Sequence, residues 1–487
     1  YYQRDNNYFR AENSGFGTDA THENNLGGGN APKMSSSKDR RKDISGFGRV
    51  DYSFDDKYLA TVTLRRDGSS VFGGNNKYAY FPGVSVGWKI DKEDFMAGAA
   101  DKVDILKLRL GYGQSGNSGI DPYQSLSKYD MTTNGILGQN KVSGATLTNY
   151  MENPDLKWET TSQVNLGIDY GFFSRLSGNL DFFVKNTKDM LVQVSQSPMT
   201  GHKYQWQNAA SMRVWGLEYS LNSTNIQTRD FEWDTQLSFS WTDNKITDYN
   251  VTDESTVAAL NTIGVIKGER TNSYYTYVID GIDPSSGSYR FKDLDGDGSI
   301  TVKDKAILGT PDPRVILGFG NTFKYKNFAL DIFFNANFGN KMYNYSAMNF
   351  TLPNTFETSN YMVDAMNYWS ESNPNSDIAA NRANGNGNAL YNSRWIEDAW
   401  FIRLQNVTLS YNLASIPSLR KIFPTAKIYV QAQNLFLITP YSGLDPELAN
   451  NAYMSSSENL PAFLPGSVDM NAYPPARTFT VGLNFSF

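Results

Sequence analysis

Long stretches of the chain alternate apolar and polar residues with period two. In "FTVGLNFSF", Phe479, Val481, Leu483, Phe485 and Phe487 share one face, and Thr480, Gly482, Asn484 and Ser486 share the other. "QVNLGIDY" sets Val164, Leu166, Ile168 and Tyr170 against Gln163, Asn165, Gly167 and Asp169. "FEWDTQLSFSW" and "FALDIFFNANF" repeat the pattern with Phe231, Trp233, Leu237, Phe239 and Trp241, and with Phe328, Leu330, Ile332, Phe334 and Phe338. A period of two is the signature of strands with one apolar face. The pattern predicts thirteen, near 46–54, 58–69, 78–90, 104–116, 158–173, 176–189, 213–226, 231–246, 314–326, 328–339, 400–413, 426–438 and 476–487.

The links between these strands alternate between short and long. Residues 55–57, 174–175, 227–230 and Asn327 are tight connections, whereas 117–157, 190–212, 247–313, 340–399 and 439–475 are long. Two of the short class, 91–103 and 414–425, have room for a helical turn, and one of the long class, 70–77, is modest. Long segments therefore all leave one edge of the sheet. A transmembrane β-barrel has this asymmetry, and about ten tilted residues per strand suffice to cross a bilayer. A closed barrel also satisfies every backbone group in lipid. The expected fold is all-β, a transmembrane antiparallel barrel. The competing reading is a secreted soluble β-rich protein, a glycan-binding module or glycoside hydrolase, whose apolar faces pack against each other.

Composition narrows the chemistry. The 487 residues include no cysteine and two histidines, His22 and His202, which removes thiolate chemistry and disulfide frameworks. No pair of carboxylates is placed by sequence for glycoside hydrolysis, and the reading is of a protein that is not an enzyme. A net charge of −6 with both signs interspersed argues against nucleic acid as a partner. No run of residues is long and apolar enough for a transmembrane helix.

"GYGQSG", 111–116, matches a dinucleotide fingerprint, but "NSGIDPYQS" follows where a helix should start. Gly111 and Gly113 are better read as small residues on the polar face. "DLDGDGSITVKD", 293–304, follows a calcium-loop pattern. Asp293, Asp295 and Asp297, the Ser299 carbonyl, Thr301 and Asp304 fall at loop positions 1, 3, 5, 7, 9 and 12, with Gly298 at the turn. The expectation is one structural Ca²⁺. A metal-free loop of Asx-turns is the alternative. Its flanks are β and turn rather than paired helices, and no second copy exists, so it is neither an EF-hand pair nor a dockerin. "NNLGGGN" (24–30) and "NRANGNGN" (381–388) read as loops. Tyr368, Trp369, Trp395 and Trp400 are candidates for stacking on sugar rings or for a girdle at the lipid interface.

The order of motifs resembles the SusC-like (RagA/SusC) family of TonB-dependent outer-membrane transporters. The residues are "YLATVTLRRDGSSVFG" (58–73), "FPGVSVGW" (81–88), "LKLRLGYGQSGN" (106–117) and "NPDLKWETTSQVNLGIDYGF" (153–172). They continue with "DLDGDGSITVKDKAILGTPDPRVILGFGNTF" (293–323), "FIRLQNVTLSYNL" (401–413), "QNLFLITPYSGLDPE" (433–447) and "ARTFTVGLNFSF" (476–487). The resemblance implies the carboxyl-terminal part of a 22-stranded barrel. Residues 46–487 would be barrel and 1–45 the remnant of an extracellular loop. The other nine strands, the plug and the TonB box would lie outside this chain. It further implies integration in the bacterial outer membrane, import of oligosaccharides or peptides, coupling to the TonB complex, and a SusD-like surface lipoprotein as lid.

Overall fold

A computed structural model describes residues 1–15, 29–137, 140–352, 360–380, 391–420, 423, 425–447, 468–470 and 473–486. Fourteen strands follow one another antiparallel in a single sheet: β1 (Tyr2–Glu12), β2 (Lys33–Phe54), β3 (Tyr58–Ser69), β4 (Tyr78–Lys89), β5 (Val103–Asn117), β6 (Glu159–Phe172) and β7 (Leu176–Ser195), then β8 (Tyr204–Gln227), β9 (Phe231–Tyr249), β10 (Val315–Tyr325), β11 (Phe328–Phe338), β12 (Phe401–Asn412), β13 (Thr425–Ile438) and β14 (Thr478–Ser486), and the short segment Tyr150–Met151 adds a parallel pairing to β8. Each strand pairs with its neighbours in chain order, the pattern of an up-and-down meander. All thirteen expected strands are present.

Two spans differ from expectation. Residues 1–45 include the β1–β2 ladder, which runs without a register shift from Tyr2↔Asp43 to Glu12↔Lys33, so this region is not simply loop. Its sequence, "SSSKDRRKD" on one side, is polar on both faces and carries no alternation to read. The second span is 190–212, expected as a connection. There β7 and β8 continue to Ser195 and from Tyr204. Register shifts between Thr187 and Leu191, with Asp189 at φ 58°, reverse the parity of the side chains and hide the continuation.

The short edge is built from tight turns. Asp55 and Asp56 have φ of 53° and 50°, and Phe173 and Ser174 have 58° and 52°. The Lys57 amide donates to the Phe54 carbonyl and the Arg175 amide to the Phe172 carbonyl, and in both turns the two central residues are left-handed, which matches the turn to the strand twist. The two longer connections at this edge hold the expected helical turns, at Ile90–Lys92, Asp94–Ala99, Leu413–Ser415 and Pro417–Arg420.

Cross-strand partners carry the alternation from strand to strand. Val50, Val62, Val84, Tyr112, Val164 and Val184 are successive partners across six strands. Trp233, Phe323, Leu330, Leu409, Val430 and Val481 form a second row. These rows face outward and much of their surface is open, Val481 by 72% and Leu483 by 62%. Among the described residues no second sheet covers Leu483, unlike the packed sandwich of a soluble protein. A broad apolar face left bare is the surface lipid covers. Phe487 lies outside the described residues.

The opposite face is polar. Asp51, Thr61, Ser85, Gly111 and Asn165 are successive partners there. Gly113 and Gln163 sit beside them, so Gly111 and Gly113 do lie on the polar face. Among the described residues, no helix is long and apolar enough to cross a membrane.

Candidate functional site

At the edge from which the long segments leave, those segments fold onto one another. The largest of their cores gathers Tyr274 and Tyr289 from the β9–β10 connection, Tyr343, Tyr345, Met348, Leu352, Ile378 and Trp395 from the β11–β12 connection, and Val468 from the β13–β14 connection. Short ladders stiffen it, pairing Tyr275–Tyr277 with Lys305–Ile307 and Lys341–Tyr343 with Ile396–Asp398. The β13–β14 connection is tied in further through Ser346 and closed on itself through Tyr441. Asp469 accepts hydrogen bonds from the Tyr441 hydroxyl at 2.7 Å and from the Ser346 hydroxyl at 2.9 Å. Burial, with the neighbouring Asp469 carboxylate, pushes the Tyr441 hydroxyl far above the usual phenol range, so it stays a donor.

Arg403 of β12 points to the polar face and meets the same connection. Its Nη2 lies 2.7 and 2.8 Å from the two oxygens of Asp445, and its Nε is 3.2 Å from Glu447. Arg403 and Asp445 are both 3% exposed. The quoted run "GLDPE" thus supplies an anion that fastens a long segment to the wall.

A second core explains four further quoted motifs. Trp158 of "NPDLKWE" lies 4.8 Å from Phe72 of "SSVFG" and 5.7 Å from Phe81 of "FPG". The Trp158 indole N–H donates to the Lys77 carbonyl at 3.1 Å. Gly116, the last glycine of "GYGQSG", is needed here, because a Cβ would stand 2.2 Å from the Phe81 ring. Its role is packing rather than phosphate binding.

On the polar wall, Arg109 of β5 reaches Asp169 of β6 at 2.8 Å and Asp181 of β7 at 3.0 Å. It crosses above Gly167, where a Cβ would approach the guanidinium to 2.6 Å. The absence of a side chain at Gly167 is what lets one cation bridge three strands.

The acidic loop lies between β9 and β10, at the same edge as the other long segments. It brings Asp293, Asp295 and Asp297 together, with one carboxylate oxygen of each within 4.8 Å of the others. Gly296 and Gly298 have φ of 77° and 83°. Asp293 accepts the amides of Gly296 and Gly298 at 2.7 and 2.8 Å, and Asp297 accepts the amide of Ser299 at 2.8 Å. Asp304 stands apart from that cluster. It is fully buried and accepts the amides of Thr301 and Leu294, each at 2.7 Å. Those amides, Thr301 first, hold its carboxyl below the usual carboxylate range. Thr301 caps the following helical turn, its hydroxyl accepting from the Lys303 amide at 3.2 Å. Asp304 therefore ties the two ends of the loop through backbone contacts, a role its position in the motif does not announce.

Of the aromatic candidates, Trp395 is buried in the loop core, and Tyr368 packs against that core. Trp400 stacks on Phe338 at 5.9 Å. Trp395 is thus held inside the loop body, neither free for a sugar ring nor at a lipid interface. His202 is tied to the Thr148 carbonyl, 2.8 Å from its Nδ1, and His22 lies outside the described residues. The segment 381–388 does too. Sequence reasoning missed Arg403, Asp445, Arg109 and Asp181, since partners separated by 42 and 72 residues leave no local pattern.

Comparison with known proteins agrees with this architecture. The chain is 34% identical to TonB-dependent receptor P3 of Formosa agariphila over 469 residues, covering 91% of this chain and 45% of that protein. It is 31% identical to TonB-dependent receptor SusC of Bacteroides thetaiotaomicron, covering 91% of this chain and 44% of that protein. It spans about half the length of the curated relatives it matches. In three dimensions it is similar to the RagAB peptide transporter, with a TM-score of 0.76 at 26% identity over 95% of this chain and 50% of that one. The profile of the family described as TonB dependent receptor-like, beta-barrel, matches residues 1–435. The chain belongs to that family of integral outer-membrane β-barrels.

Proposed function

We propose that this chain forms the carboxyl-terminal part of the barrel of a SusC-like, TonB-dependent importer of oligosaccharides or peptides. One observation carries the reading: a single sheet with a bare apolar face, a polar face behind it, and long segments folded into one body at one edge. Lipid covers the first face. The second lines the passage, with Arg109 and Arg403 fixing the wall and the loops above it. The loop body offers the rim on which a SusD-like surface lipoprotein closes. Transport is driven through TonB by segments outside this chain. The relatives support this reading through their names, a SusC and the transporter of a RagAB peptide system.

The acidic loop completes the proposal as a structural Ca²⁺ site. Asp293, Asp295 and Asp297 supply a hard, anionic oxygen set, and Asp304 organises the loop behind them. A cation there offsets three carboxylates crowded within one turn.

Deletion of the gene in its source organism tests the transport reading. The deletion strain is expected to lose growth on one class of polymer, glycan or peptide, and to regain it with the intact gene but not with one lacking its TonB-interacting segment. Affinity isolation of the full-length protein should bring down one surface lipoprotein. Growth unchanged on every polymer tried, with no lipoprotein bound, would overturn the proposal.

A further inference from the structure

The outward face of β2–β4 changes character where the apolar band ends. Outward positions along β2 run Phe54, Tyr52, Val50, Gly48, Gly46, Ile44, and then Lys42, Arg40 and Lys38. Arg66 of β3 stands opposite Gly46 and Tyr80, on the same face. Its guanidinium lies over the rings of Tyr78 and Tyr80, 4.4 and 5.6 Å from their centroids. A Cβ at Gly68 would meet both the Tyr78 ring and the Ile44 side chain, which places Tyr78 and Ile44 side by side on this face.

Height follows from strand geometry. At about 3.3 Å per residue and a tilt of about 40°, Gly46 stands roughly 20 Å above Phe54 and Lys42 roughly 30 Å. An apolar band of about 25 Å ends between them. Arg66 and Lys42 thus flank the outer boundary of the hydrocarbon, with two tyrosines between lipid and water.

One of these four cations is neutralised and three are not. Among the described residues, Lys38, Lys42 and Arg66 have no ion pair, and Arg40 pairs with Asp5 at 2.7 Å. The register places Gln3 opposite Lys42 and Asn7 opposite Lys38, neither of them a counter-charge. The two strands beyond β4 carry neutral groups toward this edge, Gln114 opposite Ser162 and Gly116 opposite Thr160. The cations are therefore a local feature of β2–β4.

We infer that the outward face of β2–β4, through Arg66 and Lys42 with Lys38 above them, binds the phosphorylated headgroup of an outer-leaflet glycolipid. Stacking on Tyr78 and Tyr80 orders the Arg66 fork while leaving its N–H donors for phosphate oxygens. Lys42 adds a second cation on the aqueous side, and Ile44 and Leu64 meet the acyl chains. The site is continuous with the lipid-facing band, so it rests on the outer-membrane placement and on no particular cargo.

Native mass spectrometry of the full-length protein in detergent tests this, with diphosphorylated lipid A, dephosphorylated lipid A and inorganic phosphate as probes. The wild type should retain diphosphorylated lipid A and lose it on dephosphorylation of the lipid. Lys42→Ser with Arg66→Ser should weaken retention about tenfold or more, Arg66→Lys should restore part of it in the double variant's place, and Lys427→Ser on the polar face should change nothing. Heat-modifiable electrophoretic mobility confirms that each variant is folded. Equal retention by the double variant, or equal retention of the dephosphorylated lipid, overturns the inference. Displacement of lipid A by millimolar phosphate would assign the site to the free anion and overturn it as well.

Discussion

Arg403 and Asp445 form a two-pronged ion pair, 2.7 and 2.8 Å, in which both partners are almost wholly buried. Removing one partner of such a pair strands a charge and costs about 3–5 kcal/mol. Asp445→Ala should therefore free the segment around Tyr441 while leaving the lipid-facing strands assembled. Limited proteolysis would read this as new cleavage between Thr439 and Glu447, with barrel mobility on gels unchanged. If the segment stays as protected as in the wild type, the pair is not what holds it.

The corner around Trp158 should be the least forgiving part of the long-segment edge. Trp158→Ala removes the ring between Phe72 and Phe81 and should cost about 3–5 kcal/mol. Gly73→Ala should be comparably harmful, since a Cβ would stand 1.7 Å from the Pro154 carbonyl oxygen, which is backbone. Chemical unfolding of the detergent-solubilised protein checks both. A variant as stable as the wild type would mean the corner yields more easily than its packing implies.

Leu483 and Asn484 are neighbours on opposite faces of β14. Arginine at Leu483, if that residue sits near the bilayer midplane, should cost about 2–4 kcal/mol, and at Asn484 much less. Folding yields into lipid vesicles compare the two. Equal yields would argue that β14 is not lipid-facing at that height.

Terbium luminescence offers a direct reading of the acidic loop. Wild-type protein should give a signal that calcium displaces, and Asp293→Ala with Asp295→Ala should abolish it. Asp304 supplies the pH test. Its carboxyl is held below the usual range by loop amides, so its contribution is complete above the unfolded carboxylate value of 3.8 and is lost as pH falls through the lower folded value. The loop should accordingly keep its hydrogen-exchange protection at pH 5 and lose it in stronger acid. Asp304→Asn should remove the protection at pH 5 as well.

How much of this was legible depended on whether a residue's role was local. Strands such as β14 and β6 announce themselves because lipid on one side and polar surroundings on the other impose period two. The β1–β2 ladder does not, since beyond the bilayer both faces are wet and "SSSKDRRKD" has no reason to alternate. The continuation of β7 past Thr187 is silent for a different reason, a bulge that exchanges the faces midway. The three aspartates of the acidic loop are legible because their spacing is the geometry. Asp304 is legible as a position but not as a role, because which amides it accepts depends on how the loop closes. Arg403 with Asp445, and Arg109 with Asp181, become partners only when the sheet lays distant strands side by side.

The core that joins Tyr274, Tyr343, Trp395 and Val468 draws on three separate connections of the sheet. Those connections therefore do not vary independently. A change in one must be answered by the other two or the shared interior opens. The strands beneath need answer nothing, because their pairing is made of backbone. Altered cargo preference should then arise by exchange of 250–314, 339–400 and 439–477 as a set, as in a chimera grafting all three from a relative. Grafting any one alone should give a barrel that assembles with a broken crown.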